Sequence, residues 1–123
     1  RNGLHWHAKL AIVINGNEEP IPAETGLGAV HNPIHTHEND HVIHMEFQGL
    51  VRKDDLRLGE FFKVWKKEFS ANCIFSAEGG SASGGEYCNG PEGTVKMSVN
   101  GQENAEFDRY QMRDKDEIEI RYE

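Results

Sequence analysis

The seven histidines of this 123-residue chain, His5, His7, His31, His35, His37, His41 and His44, all lie within its first 44 residues. Neutral imidazole is a common transition-metal ligand, and it suits zinc, copper, iron and nickel. Spacing gives these side chains a direction. Residues i and i+2 of a strand project from one face. His5 and His7, His35 and His37, and His44 and Glu46 are therefore three same-face pairs, provided their segments are extended. Strands about 4.8 Å apart would bring such pairs within reach of one ion.

The candidate metal ligands are His5, His7, His35, His37, His44 and Glu46. His35, His37 and His44 come first, being closest in sequence and sharing an expected hairpin. Glu46 follows His5 and His7, as a ligand or as the partner of an imidazole N–H. His41, Glu38 and Asp40 fall in an expected turn and could add a ligand at the rim. His31, on a loop near Pro33, ranks last. A lone surface histidine is ordinarily a polar residue and nothing more, but two His-x-His pairs and a His-x-Glu form a set. They are interleaved with Trp6, Ile34, Ile43 and Met45 on fold-building segments, so a purification tag does not explain them.

This nitrogen-rich set serves copper(II) and zinc, with copper ahead on the Irving–Williams order. Met45 alternates to the face opposite His44, so an axial methionine of the blue-copper kind is not indicated. The expected role is capture, delivery or storage of a transition metal, copper first and zinc as the alternative. A mononuclear metalloenzyme with an open position, a copper oxidase or oxygenase or a zinc hydrolase, is the second reading. A partner-binding domain merely stabilised by zinc is the third. P-loop, dinucleotide-binding and nucleophile-elbow motifs are missing, as is a helical His-Glu-x-x-His.

The elements that must position these side chains are legible in outline. Residues 5–14 alternate as a strand, and Asn15-Gly16 supplies a tight hairpin turn. Its return strand, about residues 18–21, is cut short by Pro20 and Pro22. Residues 23–33 read as a loop, and residues 34–47 as two short strands around a turn near residues 38–40. Leu58, Phe61, Phe62, Trp65 and Phe69 make one apolar stripe on a helix expected over about residues 56–69. Asp54 or Asp55 could cap its start, and Lys66 and Lys67 complement its end. Further strands are expected at residues 72–76, around Val95, Met97 and Val99 before the turn at Asn100-Gly101, and at residues 117–122.

A single domain spanning residues 1–123 fits this length. With 21 acidic and 13 basic residues the formal charge is −8, which opposes nucleic-acid phosphates and anionic membrane surfaces. No run approaches the roughly 20 apolar residues of a membrane span. A second copy of the chain, or a protein that hands metal on, are the protein partners expected. Arg1 at the start leads us to expect a trimmed or processed product. Cys73 and Cys88 flank a Gly/Ser-rich loop, about residues 77–93, that includes Glu78-Gly79-Gly80-Ser81-Ala82-Ser83-Gly84-Gly85. They are expected to form a disulfide, although free thiols and a metal role stay open; a disulfide would place the chain outside the reducing cytosol, in the periplasm or secreted.

The order of a hairpin, a helix and a second set of strands ending in an acidic strand resembles the β-grasp, or ubiquitin-like, domains. The tail over residues 113–122 resembles the closing loop and strand of sulfur carriers and ferredoxin-type members. That resemblance implies an α+β fold, a mixed sheet packed on one helix, here with an inserted His-rich hairpin. The chain ends in Tyr122-Glu123, not Gly-Gly, so sulfur carriage does not carry over. His5-Trp6-His7, His35-Thr36-His37 and Ile43-His44-Met45-Glu46, followed by Phe61-Phe62-Lys63-Val64-Trp65, also resemble small exported histidine-rich domains, which bring no activity with them. A cupin-like β-barrel is the alternative fold. Gly28, His35-Thr36-His37 and His41 approximate the cupin motif, with a first spacer one residue too long and a histidine where the glutamate would fall.

Overall fold

The computed structural model describes residues 2–75 and 85–123, and of Asn2 the backbone alone. Its strands are β1 (Asn2–Ile14), β2 (Asn17–Glu18), β3 (Ile34–His35), β4 (Val42–Leu50), β5 (Cys73–Ile74), β6 (Tyr87–Cys88), β7 (Val95–Val99), β8 (Gln102–Glu103) and β9 (Glu117–Tyr122), with one α-helix, α1 (Leu58–Trp65), among the described residues. The main sheet runs β3-β4-β1-β9-β7-β8, with β2 paired to β1, while β5 and β6 form a small ladder of their own. β1 lies antiparallel to β4 on one edge and parallel to β9 on the other, and β7 continues the sheet antiparallel to β9.

Alternation decides the two faces. Leu10, Ile12 and Ile14 of β1, Ile43 and Met45 of β4, Met97 of β7, and Ile118 and Ile120 of β9 are buried in one cluster with Leu58, Phe61 and Phe62 of α1. Burying each such side chain stabilises by about 1.5–3 kcal/mol. The intervening residues, among them His5, His7, Lys9, His44, Glu46 and Glu119, lie half-buried or exposed on the other face. The fold is thus α+β with a mixed sheet. The sheet stays open because the aromatic stripe of α1 supplies the second layer that a barrel would gain by closing on itself. The cupin-like barrel is accordingly ruled out.

Both Asn-Gly turns form as expected, with Asn15 at φ 49 and Gly16 at φ 85, and Asn100 at φ 52 and Gly101 at φ 83. The helix is shorter than the stripe that announces it. Lys66 takes φ 63 and closes the last turn on the carbonyls of Lys63 and Phe62, so Phe69 lies past the end, though its ring still meets Phe62 at 4.8 Å. Before α1 stands a 3-10 turn, Lys53–Leu56. The Asp55 carboxylate accepts the Arg52 N–H there at 2.8 Å, so its capping serves this turn and not the helix.

Cys73 and Cys88 are disulfide-bonded and stand opposite each other in the β5–β6 register. The expected Gly/Ser loop lies partly outside the described residues. Its described part contains β6 and a bridge between Gly90 and Gly93. Among the described residues, no helix is long and apolar enough to cross a membrane.

Candidate metal centre

The histidines reach one place because of strand register. Pairing of β1 with β4 sets His7 directly opposite His44 and His5 opposite Glu46. Pairing of β3 with β4 then sets His35 opposite His44 from the other side. Three neighbouring strands therefore present imidazoles or a carboxylate to the same face. The far edge of β1 is held by residues 113–116, where Asp114 accepts the His7 N–H at 3.0 Å and Lys115 N–H donates to the His7 carbonyl at 2.7 Å.

The segment read as an irregular loop, residues 23–33, is a built wall over His35. Thr25 N–H donates to Thr36 Oγ1 at 3.0 Å, Thr36 N–H to the Thr25 carbonyl at 3.0 Å, and Asn32 N–H to the Gly26 carbonyl at 2.9 Å. Gly26 makes the wall close-fitting. It sits at φ +87, and a Cβ there would stand 2.7 Å from Val64 Cγ1 of α1 and 3.2 Å from His35 Cβ.

Glu46 is the hub. Its Oε1 lies 2.7 Å from His35 Nε2 and 3.3 Å from His37 Nε2, while Oε2 lies 3.4 Å from His5 Nε2. His35 Nε2 and His37 Nε2 are 3.0 Å apart. The His35 side chain is fully buried, whereas those of His37 and His5 are 42% and 64% exposed, so the cluster has a closed floor and an open top. The open side is a depression of about 750 Å³ lined by His5, His31, His37 and Glu46 among others.

The chemistry of His35 is set by its far nitrogen. Nδ1 lies 2.7 Å from the Asn32 carbonyl oxygen, which can only accept. Nδ1 therefore carries a proton, and in the neutral ring Nε2 is a bare lone pair. That lone pair faces a carboxylate oxygen and a second imidazole nitrogen. A hydrogen or an ion has to lie between such atoms, and an N–H donated by His37 or a metal ion can fill that place. Donors held at about 2.0–2.2 Å from an ion lie roughly 2.9 Å apart at right angles and roughly 3.4 Å at tetrahedral angles. The separations of 3.0 and 3.3 Å fall in this range, while that of 2.7 Å is a hydrogen-bond distance.

Electrostatics favours unprotonated donors at two positions. Burial, followed by the neighbouring His37, His7 and His35 and opposed by Glu46, lowers the pKa of His44 from 6.5 to about 4. Burial alone would raise the Glu46 carboxyl, but hydrogen bonding with His37 and His35 outweighs it and holds Glu46 below its ordinary value. Both are thus in the metal-binding form at neutral pH.

Two groups of ligand atoms fall within 4.8 Å of one another, His31/His35/Glu46 and His37/His44/Glu46. His5 and His7 join through neighbours, with His7 at 4.6 Å from His44 and His5 at 4.9 Å from His7 between ring centroids. His31, ranked last from sequence, stands 4.9 Å from His35, because the folded-back loop carries it there. His41 is elsewhere. It takes φ 61 at the start of β4, and its Nδ1 lies 3.2 Å from the Leu10 carbonyl and 3.6 Å from Glu18. Asp40 is also occupied structurally, accepting the Val42 N–H at 3.1 Å. Asn32, the residue that fixes the His35 tautomer, carried no sequence signal, since it acts through its backbone carbonyl. The chain has no match among protein-family models, curated proteins or solved structures.

Proposed function

We propose that this protein binds a transition metal, copper first, at the Glu46 centre, for capture, delivery or storage. The observation that carries the reading is the buried Nε2 of His35. It is aimed at Glu46 Oε1 and His37 Nε2 with its tautomer fixed by the Asn32 carbonyl. A histidine whose other nitrogen donates to a backbone carbonyl is the usual outer-sphere arrangement around metal-bound imidazole. His35, His37 and Glu46 are the inner donors, and His44, His31, His5 and His7 stand next to them. Two or more imidazoles with one carboxylate suit copper, zinc or iron, and copper holds such sites most tightly. The Cys73–Cys88 disulfide supports an extracytoplasmic location, periplasmic or secreted. The hairpin, helix and second strand set, with β9 closing between β1 and β7, support a β-grasp fold.

The open top favours one alternative, a metalloenzyme with an exchangeable coordination position, because His37 and Glu46 are reachable from solvent. An exchangeable water on the bound ion would select that reading.

The test is metal-free protein titrated with Cu(II) and with Zn(II), followed by thermal melting. Metal should raise Tm by an amount set by its excess over Kd, and the effect should weaken as pH falls through about 6.5, where imidazole protonates. The double change His35→Ala/His37→Ala should abolish the rise, and His41→Ala should preserve it. Stoichiometric binding of unchanged affinity in the double variant would place the metal elsewhere.

A further inference from the structure

We propose that the centre takes two metal ions, with the Glu46 carboxylate bridging them; this deepens the metal-binding reading and rests on it.

The donors are too many and too extended for one ion. His5, His7, His44, His37, His35 and His31 form a continuous row in which successive ring centroids are 4.9, 4.6, 4.3, 4.6 and 4.9 Å apart. An ion with bonds of about 2.0–2.2 Å reaches donors no more than roughly 4.4 Å apart across its own diameter. Six imidazoles and one carboxylate outnumber the four positions of a tetrahedral ion. The ligand atoms form two groups, His31/His35/Glu46 and His37/His44/Glu46, which share Glu46 and meet where His35 Nε2 and His37 Nε2 lie 3.0 Å apart. Two-metal sites hold their ions about 3.5–4 Å apart, the separation a bridging carboxylate spans. Glu46 reaches both groups through Oε1, 2.7 Å from His35 Nε2 and 3.3 Å from His37 Nε2, while Oε2 faces His5 Nε2 at 3.4 Å.

Charge points the same way. A second dication beside a first is repelled, and a shared carboxylate between them offsets that repulsion. The buried ion would lie at His35 under the 23–33 loop. The other would lie at His37 and His44 toward solvent, with His7 beside His44 to add a fourth donor.

The experiment combines stoichiometry with spin coupling. Metal-free protein is loaded with excess Zn(II) or Cu(II), freed of unbound ion by gel filtration, and its metal content measured per chain. Two ions per chain are expected for each metal. The Cu(II) EPR signal should grow to one equivalent and then broaden or lose intensity as the second ion couples to the first. Glu46→Gln should bind at most one ion per chain and show only an uncoupled signal. Saturation at one ion, or two ions with additive signals that Glu46→Gln leaves unchanged, overturns the bridged pair while leaving metal binding intact. Failure of the wild-type protein to bind either ion overturns both readings. Circular dichroism of the metal-free variant checks its fold; if Glu46→Gln does not fold, wild-type stoichiometry and coupling decide alone.

Discussion

His44 shows how a single side chain ties the centre to the stability of the chain. Its folded pKa of about 4 lies below the 6.5 of the unfolded chain, chiefly because burial disfavours the imidazolium. Above pH 6.5 neither state takes the proton, and the contribution to stability is complete. Between 6.5 and about 4 the unfolded state binds a proton that the folded state refuses, so stability drains away as pH falls. Urea midpoints of the metal-free protein should accordingly drop between pH 7.5 and pH 4.5. His44→Gln should flatten that dependence, and an unchanged slope in the variant would show that other groups carry it. Metal bound at His44 should hold the midpoint up to the pH where imidazole protonation expels the ion.

Among the elements, the loop over residues 23–33 and the helix α1 decide whether the centre has a floor. Gly26 joins the two, because its φ of +87 disfavours any L side chain and its hydrogen faces Val64 and His35. Gly26→Val should destabilise by about 1–3 kcal/mol through backbone strain, with a further cost from the clash. It should also weaken metal affinity, because the wall carries both His31 and the Asn32 carbonyl. A calorimetric titration showing wild-type affinity in that variant would mean that the wall does not hold the donors in place. The helix acts at one remove. Phe61 and Phe62 are buried against the sheet, and Phe62→Ala should cost about 3–5 kcal/mol in chemical denaturation. Near-wild-type stability would contradict the packing described. Such a variant should still bind metal whenever it is folded, since Phe62 packs its ring on Phe61, Trp65 and Phe69 and supplies no donor.

For the molecule as a whole, stability divides between the main sheet with its helix and the β5–β6 ladder tied by Cys73–Cys88. Closing a loop with a sequence separation of 15 stabilises by about 3 kcal/mol in the chain-entropy model. Replacing both cysteines with serine should lower stability by that order, measured by denaturant midpoint. Metal stoichiometry should not change, because the histidines are carried by β1, β3, β4, the β3–β4 connection and the 23–33 loop. Loss of metal binding in the folded serine variant would reveal a coupling between ladder and centre that the packing does not explain.

Strand alternation, the two Asn-Gly turns and the aromatic stripe were local enough to be read from residue order. So were the pairing of His5 with His7 and of His44 with Glu46 on common faces, since a two-residue period needs nothing beyond its own strand. The cysteine pair was legible for the same reason, being two thiols around one short segment. Register was not local. That His7 meets His44, and Glu46 meets His5, depends on how β4 slides along β1, which a one-residue shift would undo. The rise of Glu46 from a late candidate to the hub followed from that register. His31 and Asn32 were further out of reach, because a loop position is fixed by backbone bonds and by the room Gly26 leaves, and neither has a period to read. The end of α1 at Trp65 belongs here too, for the apolar stripe runs on to Phe69 while the backbone of Lys66 has already turned left-handed. Sequence order therefore offered the candidate donors, and tertiary packing set their distances and the tautomer of His35.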